Sequence, residues 1–361
     1  MEPSSRLQSL DVFRGVTIAS MILVNNPGSG ANTYPPLLHA EWHGWTFTDM
    51  VFPFFLWIVG VAMTLSFAKR IERGGLNSTL AFHTVRRAAL IFLTGTFLNL
   101  FPDFDFAGLR IPGVLQRIAV CYLFAGLIYL YTSPRATIVI TVVLLAVYPA
   151  LMLTFGAGWD KGDNFAAAVD QVFLSGHMWS HTRTWDPEGI VSTIPAIATV
   201  LFGILTGEML RAKRSPVETA VRIFAAGTVL TALGNLLGLW IPVNKSLWTS
   251  SYAVLMAGLA ALAFALCYWS IDILQGQTWT KPFAIYGSNA LAVYVLSGVV
   301  ADLIGGVWKI GGTSAKEWIY QNVMLPIASP GNASLLYALA NVLALYGVAW
   351  FLWRRRWFLR F

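Results

Sequence analysis

The sequence predicts an all-α polytopic membrane protein, a bundle of about ten transmembrane helices with both termini cytoplasmic. Three observations carry that expectation. Apolar and aromatic residues make up 57% of the 361 residues and charged residues only 11%, where a soluble globular chain carries roughly 25% charge. Apolar runs of about 20 residues, enough to cross a bilayer core as a helix, recur from end to end. Lys and Arg gather in alternate loops, as they do on the cytoplasmic face of membrane proteins.

The predicted spans cover 10–26, 48–69, 84–101, 112–132, 136–155, 190–210, 218–240, 248–271, 283–304 and 333–353. Lipid offers backbone amides no partner, so such runs must close their hydrogen bonds as helices; a barrel would show alternating strands of about ten residues instead. The polar loops between them are short, and no repeat, low-complexity tract or linker divides the chain. One transmembrane domain over 1–361 is expected.

Loop charge sets the orientation. The inside loops hold Arg6, Lys69, Arg70, Arg73, Arg86, Arg87, Arg135, Arg211, Lys213, Arg214, Arg222, Lys281, Arg354, Arg355, Arg356 and Arg360, and the outside loops only Arg110, Lys161, Arg183, Lys245, Lys309 and Lys316. The net charge of +7 therefore reads as topology and not as a nucleic-acid surface, since no basic face interleaved with aromatics is present. Cys121 and Cys267 both fall inside apolar runs, which argues against a disulfide framework or a cysteine metal site. Val12 to Val24 has the length of a signal-peptide core, but Asp11 and Arg14 intrude and no small-x-small cleavage site follows. The segment is expected to stay as the first span.

Ionisable groups within spans are costly and are functional candidates by default. Asp11 and Arg14 stand three apart at the inner end of span 1, either as an ion pair or as part of a site. Arg117, after Gln116, lies too deep in span 4 to reach water easily and calls for a polar cavity or an anionic partner.

The outside loop 26–47 has no Lys or Arg and holds His39, Glu41, Trp42, His43 and Trp45, with Asp49 opening the next helix. An imidazole suits general-base work on an amine or hydroxyl, and a carboxylate can fix its tautomer. His39 could equally sit at headgroup level, and Asp49 could cap its helix alongside Thr48. The outside loop 156–189 holds Asp160, Asp163, Asp170, His177, His181, Asp186 and Glu188. His177 and His181 have the spacing of two ligands on one helical face, but Pro187 and Gly189 break helicity nearby and no metalloprotease motif is present; no metal is expected. Trp42, Trp45, Trp179 and Trp185 could stack on sugar faces, although tryptophans at membrane borders usually form the interfacial belt. Phosphate-binding loops, dinucleotide fingerprints and hydrolase serine motifs do not occur.

The string Arg6-Leu7-Gln8-Ser9-Leu10-Asp11-Val12-Phe13-Arg14-Gly15, then Val24-Asn25, His39-Ala40-Glu41-Trp42 and Asp49-Met50-Val51-Phe52-Pro53, resembles the heparan-alpha-glucosaminide N-acetyltransferase family and its bacterial members. Further matches are Arg110-Ile111-Pro112-Gly113-Val114-Leu115-Gln116-Arg117, Asp186-Pro187-Glu188-Gly189-Ile190, Ile241-Pro242-Val243-Asn244-Lys245-Ser246-Leu247-Trp248, and Asn289 ahead of Tyr294. Several motifs in one order, spread over nearly the whole chain, make the likeness specific. It implies a transmembrane acetyltransferase in a bacterial inner membrane, moving an acetyl group from cytoplasmic acetyl-CoA to the amine of a glucosamine-type sugar on the periplasmic side.

By this resemblance His39 is the catalytic histidine, with Asn25 and Asp49 as its polar companions. Asp11, Arg14, Gln116, Arg117 and Asn289 are candidates to line a coenzyme A channel, and Trp42, Trp185, Asp186, Glu188, Asn244 and Lys245 to meet the acceptor. Two departures border the acceptor side. The stretch between Asn25 and His39 is longer than the family pattern, and Val295-Leu296-Ser297-Gly298-Val299 lacks a Gly-His-Glu-like element. The acceptor therefore stays open, as do a sugar hydroxyl in place of the amine, an acetyl-His39 intermediate in place of a ternary complex, and a homodimer. The rival class is a sugar transporter, which the absence of visible repeats and of paired broken helices disfavours.

Overall fold

A computed structural model of the chain describes residues 7–74, 78–155, 158–276 and 279–358. Arg6, Arg360 and the side chain of Arg73 lie outside that description. The described residues form thirteen α-helices: α1 Gln8–Asn25, α2 Phe47–Gly74, α3 Ser78–Leu100, α4 Val114–Tyr131, α5 Pro134–Phe155, α6 Phe165–Leu174, α7 Thr193–Arg211, α8 Pro216–Leu237, α9 Ser250–Tyr268, α10 Thr280–Ser288, α11 Ala290–Asp302, α12 Ala315–Ile319 and α13 Pro330–Arg354. A two-stranded hairpin, Lys309–Ile310 with Thr313–Ser314, precedes α12.

Eight described helices are long and apolar enough to cross a membrane: Phe47–Glu72, Val114–Tyr131, Pro134–Thr154, Thr193–Arg211, Pro216–Leu237, Ser250–Ile273, Ala290–Val307 and Pro330–Arg354. They match eight of the predicted windows. The other two windows, 10–26 and 84–101, fall on α1 and α3, helices of 18 and 23 residues. Asp11 and Arg14 in α1, and Arg86 and Arg87 in α3, dilute their apolar character. At 1.5 Å per residue α1 is still about 27 Å long, close to the thickness of a bilayer core.

The window 283–304 is not one rod, contrary to expectation. Its helix breaks between α10 and α11 at Asn289, whose backbone has φ −128° and ψ 34°. The segment between α5 and α7 likewise contains the short apolar helix α6, started by Asn164, whose side chain accepts the Ala167 N–H. Hydropathy marks neither feature, because the break carries no proline and α6 is too short for a span-length window.

Small residues bring the helices together. A Cβ on Gly60 of α2 would lie 2.1 Å from the Val200 carbonyl oxygen of α7, and one on Gly203 of α7 would lie 2.0 Å from the Trp57 carbonyl oxygen of α2. The same reciprocal contact joins α1 to α10, where a Cβ on Gly15 would meet the Phe283 carbonyl oxygen at 1.8 Å and one on Gly287 the Asp11 carbonyl oxygen at 2.0 Å. Helices in lipid associate through such close backbone approach, since there is no water to drive apolar side chains together. Behind these contacts Phe13 of α1, Trp57 of α2 and Phe264 of α9 interlock, with Trp57 fully buried.

Helix α2 contains Pro53, which has no N–H to give to the carbonyl of Asp49 one turn earlier. That orphaned oxygen is met from another helix: the Tyr252 hydroxyl of α9 donates to it at 2.5 Å. Both partners are buried, so an unmade bond here costs about 1–3 kcal/mol. Tyr252→Phe is therefore expected to lower the thermal midpoint of the detergent-solubilised protein. Pro53→Ala restores an N–H to the same oxygen, so the loss in Tyr252→Phe should shrink in the double variant. Additive losses in that cycle, read by thermal unfolding, would contradict the pairing.

Candidate active site

The N-terminal end of α2 carries the first group of candidates. Thr46 precedes the first helical residue, and Asp49 sits in the third helical position and reaches back: its Oδ2 accepts the N–H groups of Thr46 and Ala40, both at 3.0 Å, and the Thr46 hydroxyl at 3.2 Å. This is the backward half of a capping box. Asp49 is thus not a cap beside Thr48 but the residue that ties the preceding loop to the helix. Its other oxygen, Oδ1, lies 2.6 Å from Nδ1 of His39. Asp49 is buried while half of the His39 side chain is exposed. A carboxylate there holds the proton on Nδ1 and leaves Nε2 as the nitrogen with the lone pair.

A second loop faces that nitrogen. Gly44 takes φ +95°, in the left-handed region that favours glycine, and its N–H donates to the Val243 carbonyl at 2.8 Å, joining loop 39–46 to loop 241–249. Asn244 is buried beneath this junction: its Oδ1 accepts the Leu247 N–H at 2.9 Å and its Nδ2 lies 3.4 Å from Nδ1 of His43. Its neighbour Lys245 projects the other way, with Nζ 3.4 Å from Nε2 of His39. Burial lowers the Lys245 pKa; the nearby Arg117 and Arg110 charges add to that, and Glu188 and Asp49 oppose it.

The loop after α6 supplies the acidic part of the cluster. Arg110 forks onto Asp186 at 2.8 and 2.7 Å and reaches Glu188 at 2.7 Å. Asp186 also accepts the N–H groups of Trp179 and Glu188, both at 2.9 Å. Asp186 is thereby fully engaged within the protein. Behind it lies Asp170, whose pKa is pushed up to about 6 by burial, against the pull of the Ile190 and Asp186 N–H groups that it accepts. Trp42 and Trp185 meet edge to face at 5.2 Å, the Trp42 indole N–H donates to the Trp159 carbonyl at 2.9 Å, and Trp185 is buried. Trp185 and Asn244 are therefore part of the loop packing, whereas the half-exposed His39 and the partly buried Lys245 meet at their polar tips. Asn25, the last residue of α1, is exposed, and the hydrogen bonds of the His39 ring run to Asp49 and Lys245.

Arg117 and Gln116 lie in the first turn of α4 and are buried. The Arg117 guanidinium donates to the Gly189 carbonyl at 3.3 Å and to the Ser192 hydroxyl, and it covers the Trp248 ring at 5.1 Å. This is the partner that its depth in span 4 demanded, though a carbonyl, a hydroxyl and a π face replace an anion. Its Nε and Nη1, and Nε2 of Gln116, are buried without a hydrogen-bond partner.

A cavity of about 980 Å³ lies between α2, α3, α4 and the α10–α11 break. Arg14 and Asn289 are on its wall; Asp11, Gln116 and Arg117 are not. Asp11 pairs with Arg14 at 3.3 Å, and Arg14 also donates to the Gly287 carbonyl at 3.4 Å, so the ion pair holds the guanidinium at the cavity edge. Of the other polar residues on the wall, Arg70 of α2 and Arg86 and Arg87 of α3 were read in the sequence only as topology, and His83 of α3 was not singled out. Arg87 also covers the Tyr122 ring at 5.1 Å. The spacing of His83, Arg86 and Arg87, three and four apart at the start of a span window, is the signal that places them on one helical face. His177 and His181 lie beyond the end of α6; His177 Nδ1 is 2.8 Å from the Leu109 carbonyl and the His181 ring packs on Trp179. Among the described residues no three His, Cys, Asp or Glu side chains are grouped to hold a metal ion.

Known proteins share this sequence pattern. The family profile described as "Heparan-alpha-glucosaminide N-acetyltransferase, catalytic" matches residues 6–241. The heparan-alpha-glucosaminide N-acetyltransferases of Mus musculus and Homo sapiens are each 27% identical to the chain, over 89% and 88% of its length. Those stretches amount to 58% and 57% of the two relatives, so the chain spans less than three fifths of the proteins it matches. With the profile running through more than half of its residues, the chain belongs to the heparan-alpha-glucosaminide N-acetyltransferase family, in the region described as catalytic.

Proposed function

We propose that the protein is a ten-span acetyltransferase that takes acetyl-CoA from the cytoplasm and acetylates the amine of a glucosamine-type sugar on the opposite face. Helices α1 and α3 complete the ten spans, both termini are cytoplasmic, and the outward apolar faces meet lipid in a bacterial inner membrane. The observation that carries this reading is that one helix serves two different sites. The His39–Asp49 pair stands at the start of α2, and Phe55, Ile58, Ala62, Ser66 and Arg70 farther along it wall the cavity. The 27% identity to enzymes named as N-acetyltransferases supports the chemistry.

The cavity suits the donor. Arg14, Arg70, Arg86 and Arg87 concentrate positive charge on a wall that also carries apolar Phe55, Ile58 and Ile118, a match for phosphates at one end and a long, mostly uncharged arm at the other. Near His39 the acceptor amine gives its proton to Nε2, its nitrogen attacks the thioester carbonyl, the C–S bond breaks, and the thiolate takes a proton as coenzyme A leaves. Asp49 favours the imidazolium formed in between and keeps the ring oriented. Glu41, Trp42 and Glu188 border the space from which the sugar arrives. Asn25 at the end of α1 is the candidate donor to the developing oxyanion.

Replacing His39 with Ala is expected to reduce acetyl transfer by roughly 10²–10⁴-fold while acetyl-CoA still binds. After acetyl-CoA alone, rapidly quenched enzyme should carry no acetyl group on His39; label there would replace direct transfer with an acetyl-imidazole path. Vesicles containing the protein should pass no unmodified amino sugar without acetyl-CoA, and such flux would assign a transporter instead.

Arg86→Ala and Arg87→Ala should each weaken acetyl-CoA binding by roughly tenfold or more, in line with the loss of a charge-assisted contact. Equilibrium binding in detergent at low and high salt measures it. An unchanged Kd in both variants would move the donor out of this cavity.

A further inference from the structure

Lys245 offers the same functional group as the proposed acceptor, a primary amine, and offers it to the same base. Its Nζ lies 3.4 Å from Nε2 of His39, and the His39 ring is held from behind by Asp49 at 2.6 Å. The junction below, where the Gly44 N–H meets the Val243 carbonyl at 2.8 Å and Asn244 accepts the Leu247 N–H at 2.9 Å, fixes the loop that carries the lysine. The groups around the ammonium are Glu188, Asp49, Arg117 and Arg110, and burial lowers its pKa so that the neutral amine is reached more easily than on a surface lysine. By contrast Lys161 and Lys309, on outside loops, are exposed.

We infer that Lys245 is a self-acetylation site: when acetyl-CoA is bound and no acceptor is present, the enzyme acetylates its own Lys245. The inference rests on the transfer reaction proposed above. The Lys245 ammonium gives one proton to Nε2 of His39, and its lone pair attacks the thioester carbonyl. The C–S bond breaks as the N–C bond forms, the nitrogen sheds its second proton, and the thiolate takes one proton to leave as coenzyme A. The net change is ammonium plus thioester to amide, thiol and one released proton. An amide does not pass its acyl group on to an amine, so the product is a stopped state and not a carrier. The acetamide would stay beside Nε2 where an acceptor amine must come. Acceptor in excess competes for the same proton acceptor and protects the lysine. Scarcity of acceptor would thus switch the enzyme off.

The test is peptide mass spectrometry of the full-length protein in detergent after incubation with isotopically labelled acetyl-CoA, with and without a glucosamine acceptor. Label is expected on Lys245 at roughly 10²-fold the rate of the exposed Lys309, reduced by acceptor, and accompanied by a matching, time-dependent loss of transferase activity. His39→Ala keeps the lysine and should bring Lys245 down to the rate of Lys309; binding of coenzyme A to that variant confirms that it is folded. Acetylation of the acceptor with Lys245 left unlabelled, or labelled no faster than Lys309, would overturn the inference and leave the proposed function standing. Equal labelling of Lys245 in His39→Ala would also overturn it, as would label on His39 alone. If neither acceptor nor enzyme is acetylated, the transfer reaction itself fails and this inference with it.

Discussion

The candidate site depends on how α2 begins. Pro53 takes away the N–H that would close the first turn on the Asp49 carbonyl, and the Tyr252 hydroxyl of α9 supplies the missing donor. The Asp49 side chain is meanwhile spent on the two loop N–H groups and on His39. One residue therefore joins the helix, its neighbour α9, the preceding loop and the imidazole. The histidine's direction is set by a buried carboxylate with little freedom of its own. In the proposed reaction such preorganisation would let a half-exposed ring act as a base without first being ordered.

Charge is handled differently at the two ends of the bundle. At the His39 end Arg110, Asp186 and Glu188 satisfy one another, and Asp170 is capped by backbone N–H groups. Beside them Lys245 and His39 meet at Nζ and Nε2. At the other end the cavity wall gathers Arg14, Arg70, Arg86 and Arg87, with Asp11 holding Arg14. Arg70, Arg86 and Arg87 are exposed at this wall, so their attraction for an anion comes from four like charges gathered together and weakens as salt rises.

The sequence made the spans legible because hydropathy over about 20 residues is what lipid selects. It made the break at Asn289 illegible, since Ala290 to Val307 stays apolar and no proline marks the joint. Arg14 was singled out by its charge within a span and His39 and Asp49 by their loop, the motif order then gave them roles and added Asn289, and the structure brings them into two groups, Arg14 with Asn289 and His39 with Asp49. Gln116 and Arg117 were grouped with the first pair but stand apart from that cavity, against Gly189 and Ser192. Depth in a span tells that a charge needs partners, not from which side they come. Arg86 and Arg87 were hidden by the opposite fault: residues that set topology and residues that bind an anion have the same composition at a cytoplasmic helix end. Tyr252 was missed because its role depends on a proline some two hundred residues away, a tertiary relation that no local pattern carries.

The cavity and the His39–Asp49 pair are also close along α2. From Asp49 to Phe55, the nearest residue along α2 that lines the cavity, six residues of helix rise about 9 Å. Phe52 and Trp248 cross edge to face at 5.1 Å within that interval, Tyr252 packs on Trp248 at 5.3 Å, and the Arg117 guanidinium lies over the same indole. A close-packed aromatic layer with a buried cation, rather than an open channel, thus separates the basic cavity from His39. Bulk water does not cross such a layer readily, so under the proposed transfer a thioester held in the cavity would be shielded from hydrolysis. Only the acyl end of the donor would then have to pass this layer, with its phosphates held at the arginines and the sugar on the His39 side. A short, dry interval between two polar ends is what that transfer would require, and α2 spans such an interval along a single helix.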